Sequence, residues 1–379
     1  MRVARLAASL EALAVLVAIA CAPIAALAGP ICSPICRSRP NFDFDADGKV
    51  DLIRSGPTGI RVDLLDGTAV VGKGSFPNAG GSFVLKAVGR LNADDNSDFI
   101  SQGNGVTRVT FVNATGTGVA GTLFLGDGGG AWQVVGVADV NGDGIDEILF
   151  AGPSALRIAD IASGAPVYRY LATGGGAWTY ALAADLNGDA RKDLVFRGSG
   201  SANGLIRVNR NGGIANVQFF PQGGGAWSLR LAADLDNDGV DDLVDVASNP
   251  QEVGFDRVRI FDKLGNGTPS ATGFVPTGGG AFALKASGDF SGDGKADLAY
   301  DGPTAFRIVA MNGANPLGTI FAPNGTGDFR LARMGDTNAD GRSDLITTNA
   351  TGDVRIQLSN GPGATTKSAV IAQAGVSEF

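Results

Sequence analysis

The 379-residue chain contains no histidine. That removes the commonest general base, every Ser-His-Asp or Cys-His arrangement and the usual zinc sites. Glutamate is nearly absent too: of 38 acidic residues only Glu11, Glu147, Glu252 and Glu378 are glutamates, and the rest are aspartates. A generic solvated surface mixes the two acids. An aspartate bias points instead to turn geometry and oxygen ligation, because the short carboxylate reaches its own loop. Beyond residue 28 there is no apolar run of bilayer-spanning length, so no membrane span is expected. Nor does any later stretch keep a helical period. The net charge of −8 argues against a nucleic-acid partner.

Residues 1–28 read as a signal peptide, with MRVAR as the positive start, an apolar run, and Ala26-Leu27-Ala28 as an A-x-A cleavage site. Lipidation at Cys21 is the alternative. Export makes the protein secreted, extracellular or surface-held, with the periplasm as another destination. Cleavage leaves a tail over 29–40 in which Cys32 and Cys36 form a local disulfide. The remainder, 41–379, is one repeat domain.

What the chain has in abundance is glycine, 58 residues, and one ten-residue pattern in seven copies. The copies are DFDADGKVDL from Asp43, RLNADDNSDF from Arg90, DVNGDGIDEI from Asp139, DLNGDARKDL from Asp185, DLDNDGVDDL from Asp234, DFSGDGKADL from Asp289 and DTNADGRSDL from Asp336. Their starts lie 47, 49, 46, 49, 55 and 47 residues apart. Seven residues before each start except the first stands an aromatic after a Gly-rich turn: Phe83, Trp132, Trp178, Trp227, Phe282 and Phe329. After each loop come a short apolar strand, a turn, and a second strand with Arg-Val or Arg-Ile, beginning at Arg61, Arg108, Arg157, Arg207, Arg259, Arg307 and Arg355. Each unit therefore reads as four short antiparallel strands. The expected fold is all-β, a seven-bladed β-propeller with the acidic loop between strands 1 and 2 of each blade. A β-solenoid is the alternative, but its coils are usually shorter than this unit.

The pattern D-x-[DN]-x-D-G-x-x-D-[LI], followed by an apolar strand and Gly-Pro at Gly56, Gly152 and Gly302, resembles the FG-GAP/VCBS repeat. That repeat forms the propeller of integrin alpha subunits, certain fungal lectins and many bacterial exported proteins. The resemblance implies a propeller with calcium in its loops. The leading Phe-Gly of the family is replaced here by aromatic-plus-apolar strands.

The loop chemistry agrees with an oxygen-liking cation. Positions 1, 3 and 5 converge because the loop curls, position 6 permits the turn, and an acid at 9 closes the site from the strand. Six Ca²⁺ sites are expected. Their ligands are Asp43, Asp45, Asp47 and Asp51; Asp139, Asn141, Asp143 and Glu147; and Asp185, Asn187, Asp189 and Asp193. The other three sets are Asp234, Asp236, Asp238 and Asp242; Asp289, Ser291, Asp293 and Asp297; and Asp336, Asn338, Asp340 and Asp344. In the second loop Arg90 replaces the first carboxylate and is expected to pair with Asp94 and Asp98 instead of leaving room for an ion. Ala190 at position 6 sets the fourth loop apart.

The Gly-Pro and Gly-rich turns should share the face opposite these loops. There the repeated aromatics suit packing between blades, with Trp132, Trp178 and Trp227 as candidate ligand contacts. An Arg per blade should pair with an Asp or cover a strand. The function expected is an exported adhesion or recognition module, a monomer binding a glycan or an extracellular protein, and not an enzyme. The alternative is a polysaccharide-active lyase or hydrolase using the face opposite the loops.

Overall fold

The computed structural model describes residues 41–371, apart from 57–58, 79–81, 175–176, 199–201, 209–212, 222–226, 248–256, 263–267, 278–280, 326 and 362–364. The leader, Cys21 and the Cys32/Cys36 tail lie outside the described residues.

The strands follow the repeats. The first gives β1 (Leu52–Ser55), β2 (Gly59–Asp66) and β3 (Ala69–Pro77). The second gives β4 (Val84–Gly89), β5 (Asp98–Gly103), β6 (Val106–Val112) and β7 (Val119–Gly126). The third gives β8 (Gln133–Ala138), β9 (Glu147–Ala151), β10 (Ala155–Asp160) and β11 (Val167–Ala172). The fourth gives β12 (Trp178–Ala184), β13 (Asp193–Gly198), β14 (Ala202–Val208) and β15 (Ile214–Pro221). The fifth gives β16 (Trp227–Ala233), β17 (Asp242–Ala247), β18 (Arg257–Asp262) and β19 (Ala271–Pro276). The sixth gives β20 (Ala283–Gly288), β21 (Asp297–Asp301), β22 (Ala305–Asn312) and β23 (Asn315–Pro323). The seventh gives β24 (Phe329–Gly335), β25 (Asp344–Asn349), β26 (Val354–Ser359) and β27 (Thr365–Ile371).

Each repeat is one antiparallel meander, and together they form an all-β propeller. The expected count of seven four-stranded blades is corrected. Six sheets have four strands, and the first repeat forms a three-stranded sheet β1-β2-β3. In the six complete blades the first strand precedes the acidic loop. For the first repeat the corresponding stretch falls largely before residue 41, outside the described residues.

Neighbouring blades meet chiefly through their first strands, which surround the axis. All six carry a register shift at the same place, as between Leu85 and Ala87 or Val134 and Gly136, and such a bulge adds twist where the blades crowd together. The second strands of repeats 2 to 4 begin with apolar runs after the opening acid because both of their faces are covered. Phe99, Ile100, Ile148, Leu149, Phe150, Leu194 and Val195 are all fully buried. Burial of each such large side chain contributes roughly 1.5–3 kcal/mol. The fourth strands alternate between exposed and covered residues.

One backbone hydrogen bond recurs around the whole ring. The amide at loop position 8 donates to the carbonyl of position 1 in the preceding loop: Ser97 to Asp43 at 2.7 Å, Asp146 to Arg90 at 2.7 Å and Lys192 to Asp139 at 2.8 Å. Asp241 to Asp185 (2.7 Å), Ala296 to Asp234 (3.0 Å) and Ser343 to Asp289 (2.6 Å) continue it, and Val50 to Asp336 (2.8 Å) joins the last repeat to the first. The same seam holds the Gly67 amide on the Thr337 carbonyl at 2.6 Å and the Arg333 guanidinium on the Asp51 carbonyl. One core cluster spans it, combining Ile346, Val354 and Ile356 with Phe44, Leu52 and Ile60.

Blades approach closely enough that a single methyl decides the fit. A Cβ on Gly273 of β19 would lie 1.8 Å from the Ala314 carbonyl oxygen in the next blade, whereas a Cβ on Gly126 of β7 meets nothing within 4 Å. Gly273→Ala is therefore expected to destabilise by about 1–3 kcal/mol. Gly126→Ala should stay within about 0.5 kcal/mol. Urea unfolding of the two variants reads the difference, and equal stabilities would contradict this packing.

Candidate functional site

Each acidic loop winds around its first side chain. In repeat 1 the Asp43 carboxylate accepts the Asp47 amide at 3.0 Å and the Gly48 amide at 2.9 Å. Asp45 accepts the Asp47 amide at 3.3 Å, and Asp47 accepts the Lys49 amide at 2.9 Å. Asp139, Asp185, Asp234, Asp289 and Asp336 take the position-6 amide at 2.8, 2.8, 2.9, 2.8 and 2.8 Å. This winding needs left-handed backbone at positions 4 and 6. In six loops both are left-handed: Ala46 and Gly48, Gly142 and Gly144, Gly188 and Ala190, Asn237 and Gly239, Gly292 and Gly294, Ala339 and Gly341. Ala190 adopts the shared geometry at φ 63° although it carries a Cβ.

The second loop departs. Arg90 has no oxygen to accept the amides, and the loop is left-handed only at Asp95, φ 69°. There the Arg90 Nη2 contacts Asp95 Oδ1 at 3.1 Å. This corrects the expected pairing with Asp94 and Asp98: the left-handed turn brings the Asp95 carboxylate to the guanidinium. Asp98 keeps a different partner, accepting the Val112 amide at 2.8 Å.

The position-9 acids have a task that sequence spacing does not reveal. Asp51 accepts the Phe44 amide at 2.9 Å with one oxygen and the Leu65 amide at 2.8 Å with the other. Asp344 does the same with Thr337 at 3.0 Å and Ser359 at 2.8 Å, and Asp297 with Ser291 at 2.8 Å and Met311 at 3.3 Å. Glu147 accepts the Val140 amide at 2.9 Å and touches the Asn141 side-chain amide. These acids fasten loop to sheet as well as closing the loop. Position 8 was also missed. Asp146 accepts the Arg90 amide at 2.9 Å, and Asp241 accepts the Asp185 amide and Lys192 Nζ, both at 2.8 Å. The doubled acids Asp146-Glu147 and Asp241-Asp242 were the signal that could have found them.

Where all the donors are carboxylates they crowd. Ligand atoms of Asp43, Asp45 and Asp51 lie within 4.8 Å of one another, as do those of Asp234, Asp236 and Asp238. Burial pushes Asp43 up to about 6, Asp51 to about 7 and Glu147 to about 8, and repulsion from neighbouring carboxylates adds to each rise. The same pressure raises Asp139, Asp185, Asp234, Asp289 and Asp336. Oxygen donors, convergence and uncompensated buried charge together fit a hard divalent cation. Asp193 and Asp242 are buried at the strand starts, and each accepts a position-2 amide, from Leu186 at 3.3 Å and Leu235 at 3.0 Å. Asn187 and Asn338 each accept the amide two residues on, from Asp189 at 2.9 Å and Asp340 at 3.0 Å. Ser291 Oγ lies 3.4 Å from Asp289 Oδ1. Asp143, Asp189, Asp238, Asp293 and Asp340 are exposed.

At the opposite end of the blades the repeated aromatics and arginines form one device. The Arg157 guanidinium lies 4.9 Å from the Trp132 ring centre, 4.0 Å from Phe150 and 4.9 Å from Tyr168. Arg108 sits over Phe83 at 4.6 Å, Arg259 over Trp227 at 4.5 Å and Arg355 over Phe329 at 4.3 Å. Such contacts contribute about 0.5–2 kcal/mol, depending on desolvation. Among the described residues, Asp pairing occurs in two repeats, Arg61 with Asp63 at 2.6 Å and Arg259 with Asp245. In three other repeats the guanidinium donates to the last carbonyl of the preceding sheet: Arg108 to Pro77 at 3.0 Å, Arg307 to Pro276 at 2.5 Å and Arg355 to Pro323 at 3.0 Å. Arg207 is not the counterpart in repeat 4. Strand register puts Gly204 opposite Phe196 and Phe219, where Arg157 stands opposite Phe150 and Tyr170.

Trp227 is buried, while Trp132 and Trp178 are half-buried. Trp132 and Trp178 pack against core clusters that join their blade to the preceding one, as expected, and each of the three also has an aromatic partner within its own sheet. Trp132 meets Tyr170 at 5.6 Å, Trp178 meets Phe219 at 5.5 Å and Trp227 meets Phe274 at 5.9 Å. A Cβ on Gly152 would come within 2.4 Å of the Trp132 ring, so the glycine of that Gly-Pro turn is required by the ring beside it.

A family model described as an FG-GAP-like repeat matches residues 139–196 and 185–245. Among solved structures, a lectin of Agrocybe aegerita that recognises non-reducing terminal N-acetylglucosamine superposes with a TM-score of 0.66 at 17% identity, covering 86% of this chain and 91% of that one. Hsv2 of Kluyveromyces lactis gives a TM-score of 0.50 at 11% identity, covering 86% and 97%. At these identities the likeness is one of fold alone. No curated protein matches the chain.

Asp98 offers a pH test free of the six matching loops. Burial raises it from 3.8 to about 8, and the Val112 amide only partly opposes that. A carboxyl raised in the folded state stabilises when protonated. Its contribution is full below about 4 and is lost as pH rises through about 8. In chelator, the stability of Asp98→Asn should fall less steeply than wild type between those limits, measured by urea unfolding across pH. Parallel curves would refute the assignment.

Proposed function

We propose that this β-propeller, which carries FG-GAP-like repeats, is an exported recognition module whose acidic loops hold calcium and whose other surfaces bind a glycan or an extracellular protein. One observation carries the calcium reading. Six loops share a winding with oxygen donors at positions 1, 3, 5 and 9, and the loop that starts with Arg90 lacks it. The ions would be held by the six ligand sets named from the sequence. When bound, calcium supplies positive charge that offsets the crowded carboxylates and stabilises the folded state by mass action. Extracellular modules of this kind bind calcium with Kd of about 10⁻⁴–10⁻³ M, so each site contributes about 1 kcal/mol at millimolar calcium.

Recognition, not turnover, suits the remaining chemistry. The chain lacks histidine, and its buried position-9 carboxylates are committed to backbone amides. The arginine-stacked aromatics provide rigid apolar platforms beside hydrogen-bond donors, a surface suited to saccharides. A lectin of the same fold accords with that use.

Native mass spectrometry at millimolar calcium is expected to find six ions, and fewer than five would overturn the assignment. Arg90→Asp restores the missing first carboxylate and should add one ion. Chelation should lower the melting temperature and abolish glycan or protein capture together.

A further inference from the structure

The seven outermost strands, β3, β7, β11, β15, β19, β23 and β27, contain no acidic residue, although the chain carries a net charge of −8. Lys73, Arg169 and Lys367 are their only charged residues. Each is an edge strand with a single hydrogen-bonded neighbour. Exposed edges are ordinarily guarded by charge or proline along their length. Prolines close β3, β15, β19 and β23, but between the strand ends exposed apolar side chains recur, and the large rings stand at one register.

Phe124, Phe274 and Phe321 each stand opposite the strand-3 arginine of their own blade, as Tyr170 stands opposite Arg157 and Phe219 opposite Gly204. These five rings on five consecutive blades are 59, 42, 57, 58 and 60% exposed in that order. Four lean on the aromatic that opens the blade: Tyr170 on Trp132, Phe219 on Trp178, Phe274 on Trp227 and Phe321 on Phe282, at 5.6, 5.5, 5.9 and 6.0 Å. Guanidinium groups brace the inner rings. Each platform is thus presented rigidly, so little side-chain freedom remains to be lost on contact.

We propose that this rim binds an extended, uncharged polysaccharide laid across several blades, its sugar rings stacked on Tyr170, Phe219, Phe274 and Phe321. The inference rests on the recognition reading above and names its ligand class and surface. A flat aromatic surface matches the apolar face of a pyranose ring. The strands β15, β19 and β23 that carry Phe219, Phe274 and Phe321 hold no charged residue of either sign, so this part of the rim suits a neutral polymer. Platforms repeated at a fixed register favour a polymer over a single terminal sugar, because each further contact becomes intramolecular.

The test is co-sedimentation of the calcium-loaded protein with cellulose, chitin, xylan and starch. Tyr170→Ala, Phe219→Ala and Phe321→Ala are made singly and together. All three rings are exposed, and unchanged melting temperatures would confirm intact folding. Binding to at least one polymer is expected, weakened several-fold by one substitution and more than a hundred-fold by three. No binding to any of the four polymers overturns the proposal. Binding unchanged in the triple variant overturns the rim assignment but leaves the recognition reading standing. Capture of only charged glycans or a protein does the same. If the triple variant instead converts a dimer into a monomer in sedimentation velocity, the rim is an interface between copies and the proposal is wrong. Loss of calcium stoichiometry would count against the loop reading alone.

Discussion

A single backbone contact, the amide of loop position 8 on the carbonyl of loop position 1 in the preceding repeat, sets the geometry on which the rest depends. It ties each loop to its neighbour, so the first strands converge on the axis and the second strands are covered on both faces. The loop must keep a fixed outline for that amide to arrive, and left-handed residues at positions 4 and 6 hold the outline in six repeats. In repeat 2 the carbonyl of Arg90 still accepts the Asp146 amide at 2.7 Å. The contact therefore survives loss of the first carboxylate, which separates the scaffold role of the loop from its charge.

That separation explains how so many acids are tolerated. Position 1 organises its own loop, position 9 reaches forward into the sheet, and the acids at position 8 reach back to the preceding loop. These carboxylates accept backbone amides, yet burial still pushes several toward neutrality. Under the calcium reading the donors are already in place before an ion arrives, so binding reorganises little. The charge concentrated at one end leaves the arginine–aromatic stacks free to shape the other end and the rim.

The repeat, the strand order and the loop positions were legible because Asp, Gly and aromatic residues recur at constant offsets. What was not legible depended on partners without a side-chain signature. Asp51 meets the backbone of Leu65, and any residue there would donate the same amide. Proximity along the chain points Arg90 to Asp94 and Asp98, whereas backbone handedness at Asp95 decides the pairing. Arg207 matched a dipeptide pattern, but repeat 4 carries extra residues between strands that move Gly204 into register. Among the described residues, which begin at 41, the first sheet has three strands, not the four expected from the repeat.

The seam between the last repeat and the first uses the same amide-to-carbonyl contact as the six other junctions, at 2.8 Å from Val50 to Asp336. The ring has a rotational sense, and this contact treats all seven junctions alike. Chain connectivity and ring geometry are therefore independent variables in this fold. A circularly permuted polypeptide, opened at another Gly-rich turn and joined across the present seam, would meet the same sequence of neighbours.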